Sequence, residues 1–129
     1  MKDVVVLSAV LTPIGSFQGQ FAALSGVDLG AAAIGAAVDQ AGIPGEDVNE
    51  VIMGCVLPAG LGQAPARQAS LQAGIPVAAG CMTINKVCGS GLKSVMLAHD
   101  SIKVGNSSIA VAGGLESMTN APYMLLKAR

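Results

Sequence analysis

The sequence contains no tryptophan, one tyrosine and two phenylalanines among 129 residues, and a single histidine. So few aromatic rings leave almost no platform on which bases stack. A net charge of −1, with no run of like charges, gives no electrostatic footprint for a nucleic acid or an anionic membrane. Neither is therefore an expected partner. No apolar stretch approaches the roughly 18 residues that span a bilayer. The apolar opening, Met1 to Val10, is not read as a signal peptide, because Asp3 spoils the positive start and no small-residue cleavage site follows promptly. The three cysteines, Cys55, Cys81 and Cys88, are odd in number and lack metal-type spacing, which argues against a disulfide framework or a zinc site. They fit a reducing compartment, so a cytoplasmic location is expected. Asn106-Ser107-Ser108 matches a glycosylation triplet that many cytosolic loops also contain, and it is discounted. Charge is scarce as well: 12% charged residues against 52% hydrophobic is lean for a free-standing globular surface. Either partners cover much of this chain, or it is a piece of something larger.

What is present is an alternation of short β-branched runs with helical stretches. Val4–Val10 is almost continuously apolar, as a strand covered on both faces is. A helix follows from Leu29 to Val38, with Asp28 as N-cap and Gly42 as its stop. Val48–Leu57 reads as the second strand. Pro65 suits the first position of a second helix and Gly74 the position after its end. Met82–Val87, Ser90–Val104 and Ser108–Gly113 then read as strand, helix and strand. The order β-α-β-α-β-α-β predicts an α/β fold with a mostly parallel sheet and right-handed crossovers. In the third helix Leu92, Val95, Met96, Leu97, Ala98, Ile102 and Val104 spread around most of the circumference, the pattern of a central buried helix. One sheet covers one side of it, and something else must cover the other. The last residues, from Ala121, break off in an apolar stretch without a closing signal. The expected division is an incomplete domain over residues 1–119 and the start of an interrupted loop region over 120–129.

The chemistry concentrates in Thr83-Ile84-Asn85-Lys86-Val87-Cys88-Gly89-Ser90-Gly91-Leu92-Lys93-Ser94. A strand ends, a sharp turn follows, and a helix begins with Cys88 at the junction. Free backbone N–H groups and the positive end of the helix dipole converge there, which makes a cysteine in this place more nucleophilic. The same N–H groups suit an oxyanion formed on an attacked thioester. Gly89 and Gly91 remove side chains and allow close approach of a substrate. Two rival readings stand beside this one. Cysteine is commonly a small buried hydrophobe, and Gly89-x-Gly91 after a strand begins a dinucleotide fingerprint. The fingerprint is incomplete: its third glycine position is Ser94, and no acidic residue ends the next strand at about 20 residues.

Asn85 to Ser94 resembles the acyl-enzyme segment of the thiolase family, particularly its biosynthetic acetyl-CoA acetyltransferase branch. Thr12-Pro13-Ile14-Gly15-Ser16-Phe17 is similar to the family's opening motif, and Gly62-Gln63-x-Pro65-Ala66-Arg67-Gln68 to its second helix. Gly113-Gly114-x-Glu116-Ser117-Met118-Thr119-x-Ala121-Pro122-Tyr123 is similar to the segment after its fourth strand. The four motifs stand in the family's order and span the chain, and the resemblance is to the family's N-terminal part. It implies that Cys88 attacks acetyl-CoA, releases coenzyme A and holds the acetyl group as a thioester, a division of one hard exchange into two easier steps. A second acetyl-CoA then attacks through its α-carbon to give acetoacetyl-CoA, and the reverse is thiolysis. Coenzyme A thioesters are thus substrates, no bound cofactor or metal is expected, and homodimers or homotetramers are the expected assemblies.

The resemblance also implies residues that this sequence does not contain. A histidine in a Gly-His-Pro setting activates the family's nucleophile, and a second cysteine in a Cys-x-Gly setting serves as acid and base. Cys55 is followed by Val56-Leu57 and Cys81 by Met82-Thr83, so both read as core or near-core residues. His99 sits on the helix that Cys88 begins, roughly 16 Å along it, and reads as a structural or surface residue. The family's Asn-Glu-Ala-Phe segment and most of its coenzyme A pocket are likewise expected in a missing C-terminal half. Leu11 stands where the opening motif usually has arginine, and Ala64 where asparagine is common. Arg67 and Glu116 are embedded in motifs and are expected to form ion pairs. The resulting expectation is an acetyl-CoA C-acetyltransferase whose nucleophile this chain supplies. The alternatives are a longer-chain 3-ketoacyl-CoA thiolase, a condensing enzyme of fatty-acid or polyketide synthesis, and a non-catalytic remnant that serves as an assembly domain.

Overall fold

The computed structural model describes residues 3–127; Met1 and Lys2 of the apolar opening, and Ala128 and Arg129 of the expected loop region, lie outside the described residues. The elements in chain order are α1 (Gly26–Ala41), a short 3-10 turn (Gly45–Asp47), β1 (Glu50–Gly54), α2 (Pro65–Gln72), β2 (Gly80–Ile84), α3 (Ser90–Lys103) and β3 (Ala110–Gly114). All strand pairs are parallel, with β1 central in the order β2-β1-β3. The chain leaves β1 toward one edge to form β2, then returns past β1 to form β3. Right-handed crossovers in opposite directions place α2 and α3 on opposite faces. Val51 and Met53 of β1 join the cluster formed with Val27, Ile34 and Ala69 of α1 and α2. The intervening Ile52, only 1% exposed, points to the α3 face.

Local chemistry explains the ends of the elements. Ser25, not Asp28, is the N-cap of α1. Its hydroxyl accepts from the Asp28 N–H while the Asp28 carboxylate accepts from the Ser25 N–H, a reciprocal capping box. The Ser25 and Gln72 side chains also hold the Asp28 carboxyl below its usual range, with the Gln72 amide the larger cause. Gly42 ends α1 in the left-handed region at φ 66°, where a β-carbon is costly. Pro65 is the first residue of α2, as its missing N–H and fixed φ favour.

One expectation about the layers differs from the structure, and one is met as far as this chain reaches. Residues 4–10 are not a strand: they find no strand partner among the described residues, and Val5, Val6 and Leu7 are largely exposed. What ties the segment down is the Ser8 hydroxyl, which donates to the Ala37 carbonyl of α1 at 2.7 Å. An apolar run is necessary for an internal strand, but the ladder also needs a neighbour. Helix α3, in turn, is buried on one side only. Ser90, Ser94 and Ala98 face the sheet, while Leu92 is 71% exposed and Val95, Met96 and Val104 are also open. No second layer covers that face among the described residues.

Candidate functional site

The carboxyl ends of the three parallel strands converge on one open cavity of about 250 Å³, lined by Gly54, Val56, Val87, Cys88, Ser90, Gly91, Gly114, Leu115 and Glu116. Open α/β sheets place their crevices at this end. Each strand contributes its terminus: β1 ends at Gly54, β3 at Gly114, and the turn after β2 carries Cys88. Cys88 is exposed and unpaired, whereas Cys81 is half-buried and Cys55 fully buried. Of the three cysteines, only Cys88 lines the cavity.

The turn that presents Cys88 is strained. Val87 has φ 50°, in the left-handed region that β-branched residues avoid. Side chains on both sides hold it. The Val87 N–H donates to Oδ1 of Asn85 at 2.9 Å, and the Asn85 amide reaches the Val56 carbonyl across the cavity at 3.4 Å. The Ser90 hydroxyl accepts from the Lys86 N–H at 2.7 Å and donates to the Val87 carbonyl at 2.6 Å. Backbone bonds from Gly89 N–H to Lys86 and from Ser90 N–H to Val87 close the turn into α3.

The N-terminus of α3 lies directly on the strand ends. A β-carbon on Gly54 would stand 2.6 Å from the Cβ and carbonyl carbon of Ser90, so only glycine fits there without displacing the helix. Gly89 and Gly91, singled out from the sequence, are less constrained. A methyl on either would come no nearer than 3.5 Å to its neighbours within this chain. One turn further on, the buried Ser94 hydroxyl bonds the Gly113 carbonyl at 2.7 Å and ties α3 to β3.

Glu116 and Arg67 do not form the expected ion pairs among the described residues. The Glu116 carboxylate accepts from the N–H groups of Val56 and Leu57 at 2.8 and 2.9 Å, and so caps the end of β1 beneath the cavity. The Cys55 thiol also lies against it at 3.6 Å. Burial first, and then the Glu116 charge, push the Cys55 thiol up to about 11 from an ordinary 9.0. Cys55 is thus a neutral core thiol. Arg67 donates to the Ala79 and Val77 carbonyls at 2.7 and 2.8 Å and fastens the entry to β2. For both charges, backbone groups replace the opposite charge that the sequence led us to expect. His99 stays apart: it lines a shallow surface hollow with Val95, Met96 and Asp100, and its Nδ1 lies 3.1 Å from the Asp100 carboxylate.

Comparison with known proteins places this arrangement. Residues 4–129 match the family model described as thiolase, N-terminal domain. The mitochondrial acetyl-CoA acetyltransferase of Xenopus tropicalis is 55% identical over 125 residues, which are 97% of this chain and 30% of the relative. The mitochondrial acetyl-CoA acetyltransferase of Homo sapiens is 52% identical over 125 residues, 97% of this chain and 29% of the relative. The chain spans about 30% of the length of these curated relatives. A crystal structure of Acat5 thiolase from Ascaris suum in complex with coenzyme A superposes with a TM-score of 0.97 at 45% identity, covering 99% of this chain and 34% of that one.

Proposed function

This chain belongs to the thiolase family through its N-terminal domain, and on that premise we propose that it supplies the nucleophile of an acetyl-CoA C-acetyltransferase. The observation that carries the reading is the exposed Cys88 at a strained strand-to-helix turn, opening onto the cavity at the carboxyl ends of the sheet. On this reading the Cys88 sulfur attacks the carbonyl carbon of acetyl-CoA. The carbon–sulfur bond to coenzyme A breaks, the thiol proton passes to the departing sulfur, and the acetyl group remains on Cys88. Helix α3 begins two residues after Cys88, and the positive end of its dipole favours the oxygen that becomes negative in that step. A second acetyl-CoA loses an α-proton and its carbon attacks the acetyl group, releasing acetoacetyl-CoA and the free thiol.

The proton transfers need a base, and among the described residues the cavity around Cys88 holds none that fits. Glu116 already accepts two backbone N–H groups, and His99 lines a separate hollow. The reading therefore assigns the base and the acid, and most of the coenzyme A pocket, to the further length that the relatives possess. It assigns the cover over Leu92, Val95 and Met96 of α3 to the same source, and it expects a homodimer or homotetramer.

The test is intact mass of the purified protein before and after acetyl-CoA, with peptide mapping of any adduct. One acetyl group on Cys88 is expected, formed when the C-terminal length that the relatives possess accompanies this chain. A protein that holds its partners but never becomes acetylated on Cys88 would be an assembly domain instead. Faster acylation by longer acyl-CoA thioesters would shift the assignment to a 3-ketoacyl-CoA thiolase.

A further inference from the structure

The most demanding feature of the site is not Cys88 itself but the conformation of the residue before it. Val87 sits at φ 50° with a β-branched side chain that is 65% exposed, so packing of that side chain does not hold it there. A conformation of this kind persists only where its surroundings over-determine it. Two side chains do so here. Ser90 is 3% exposed, and its hydroxyl serves as acceptor for the Lys86 N–H and donor to the Val87 carbonyl. Its single proton and a lone pair are both committed to the two peptide groups that flank the Lys86–Val87 step. Asn85 takes up the Val87 N–H from the other side.

We propose that Ser90 is a positioning residue for acyl transfer, its buried hydroxyl clamping Val87 in the left-handed conformation that aims the Cys88 sulfur into the cavity. Asn85 is the second arm of the same clamp. Because Ser90 is also the first residue of α3, one side chain couples the start of the helix to the turn that it follows. The proposal rests on the reading of Cys88 as the acyl acceptor and adds what holds that acceptor in line. Without the clamp, Val87 relaxes toward negative φ, and the peptide that carries Cys88 rotates with it.

The experiment is single-turnover acetylation of Cys88 by acetyl-CoA in the full-length protein, comparing wild type with Ser90→Ala, with Asn85→Ala and with the double variant Val87→Gly/Ser90→Ala. Wild-type acetylation tests the underlying reading alone; if Cys88 never acquires an acetyl group, both the reading and the proposal fall. Given wild-type acetylation, Ser90→Ala removes both hydrogen bonds of the clamp and is expected to lower the maximal rate at least about tenfold, the scale that even one hydrogen bond lost in the positioned state would give. The half-saturating acetyl-CoA concentration and the cooperative unfolding transition should be retained. Adding Val87→Gly should return the rate to within about threefold of wild type, because glycine adopts positive φ without a clamp. A Ser90→Ala protein that acetylates within about twofold of wild type overturns the proposal, as does a folded double variant as slow as Ser90→Ala alone. If Ser90→Ala does not fold, the exposed Asn85 carries the same measurement, and an unchanged rate in Asn85→Ala overturns the proposal equally.

Discussion

Gly54 at the end of β1 lies directly beneath Ser90 at the start of α3, where a β-carbon would approach the Ser90 Cβ and carbonyl carbon to 2.6 Å. Both atoms belong to a helix terminus already fixed by Ser90 and Ser94, so the contact has no flexible end to swing aside. Gly54→Ala is expected to lower stability by about 1–3 kcal/mol, the usual scale of overpacking a well-filled interior. Because the displaced helix begins at the Cys88 turn, Cys88 acetylation should fall more steeply than stability does. Denaturant unfolding and peptide-mapped acetylation on the same preparation check both. Unchanged unfolding and acetylation would mean that the strand end can retreat from the helix.

Ala64 offers the opposite change. It adopts φ 48° and ψ 66° at the N-cap of α2, with no side-chain cap, and it is exposed. An L-residue with a β-carbon loses roughly 1–2 kcal/mol in that region, and asparagine tolerates it better. Ala64→Asn is therefore expected to stabilise the protein by about 0.5–1 kcal/mol, seen as a rise of a few degrees in the unfolding midpoint. A lowered midpoint would place the strain elsewhere in the loop.

These two positions show what the sequence could and could not reveal. The place of Cys88 at a strand-to-helix turn was legible because strand, turn and helix start fall within about ten contiguous residues. The parallel pairing of β1, β2 and β3 was legible as well, since alternation of short apolar runs with helices constrains topology. Gly54, Glu116 and Ser94 act across 19 to 60 residues of chain and acquire meaning only when the strand ends meet. Glu116 and Arg67 were expected to seek opposite charges, but backbone N–H and carbonyl groups satisfied them. Residues 4–10 and the outer face of α3 carry the apolar pattern of buried elements, and the described residues supply no surface to cover them. Pattern reports the burial a segment is suited to, while the structure reports the burial its neighbours provide.

Two fully buried serines should respond with opposite signs. The Ser70 hydroxyl on α2 has no hydrogen-bond partner among the described residues, whereas the Ser94 hydroxyl bonds the Gly91 and Gly113 carbonyls. Burying an unpaired hydroxyl costs about 1–3 kcal/mol on mutational scales, and removing it relieves that cost at the loss of one small group's packing. Ser70→Ala is expected to stabilise by about 1 kcal/mol, and Ser94→Ala to destabilise by a similar amount. Denaturant midpoints for the pair, measured side by side, check the contrast. Equal shifts of the same sign would show that the Ser70 hydroxyl finds a partner in solution.

The buried thiol of Cys55 gives the protein an alkaline signature. Its folded-state value is raised to about 11 by burial and by the adjacent Glu116 charge, against an ordinary 9.0. Below pH 9 the thiol is protonated in both folded and unfolded chains, and the full stability is present. Between about pH 9 and 11 the unfolded chain releases this proton while the folded chain keeps it. The unfolded state then binds fewer protons, and stability falls as pH rises through the window. The difference between wild type and Cys55→Ala isolates the one thiol. The variant is expected to start less stable at neutral pH, because a buried sulfur is lost, and to lose less of its remaining stability between pH 8 and 11. Denaturant unfolding of both proteins at half-unit intervals of pH gives the two slopes. Parallel slopes would mean that the Cys55 thiol ionises as readily in the fold as out of it, and that the Glu116 carboxylate does not act on it.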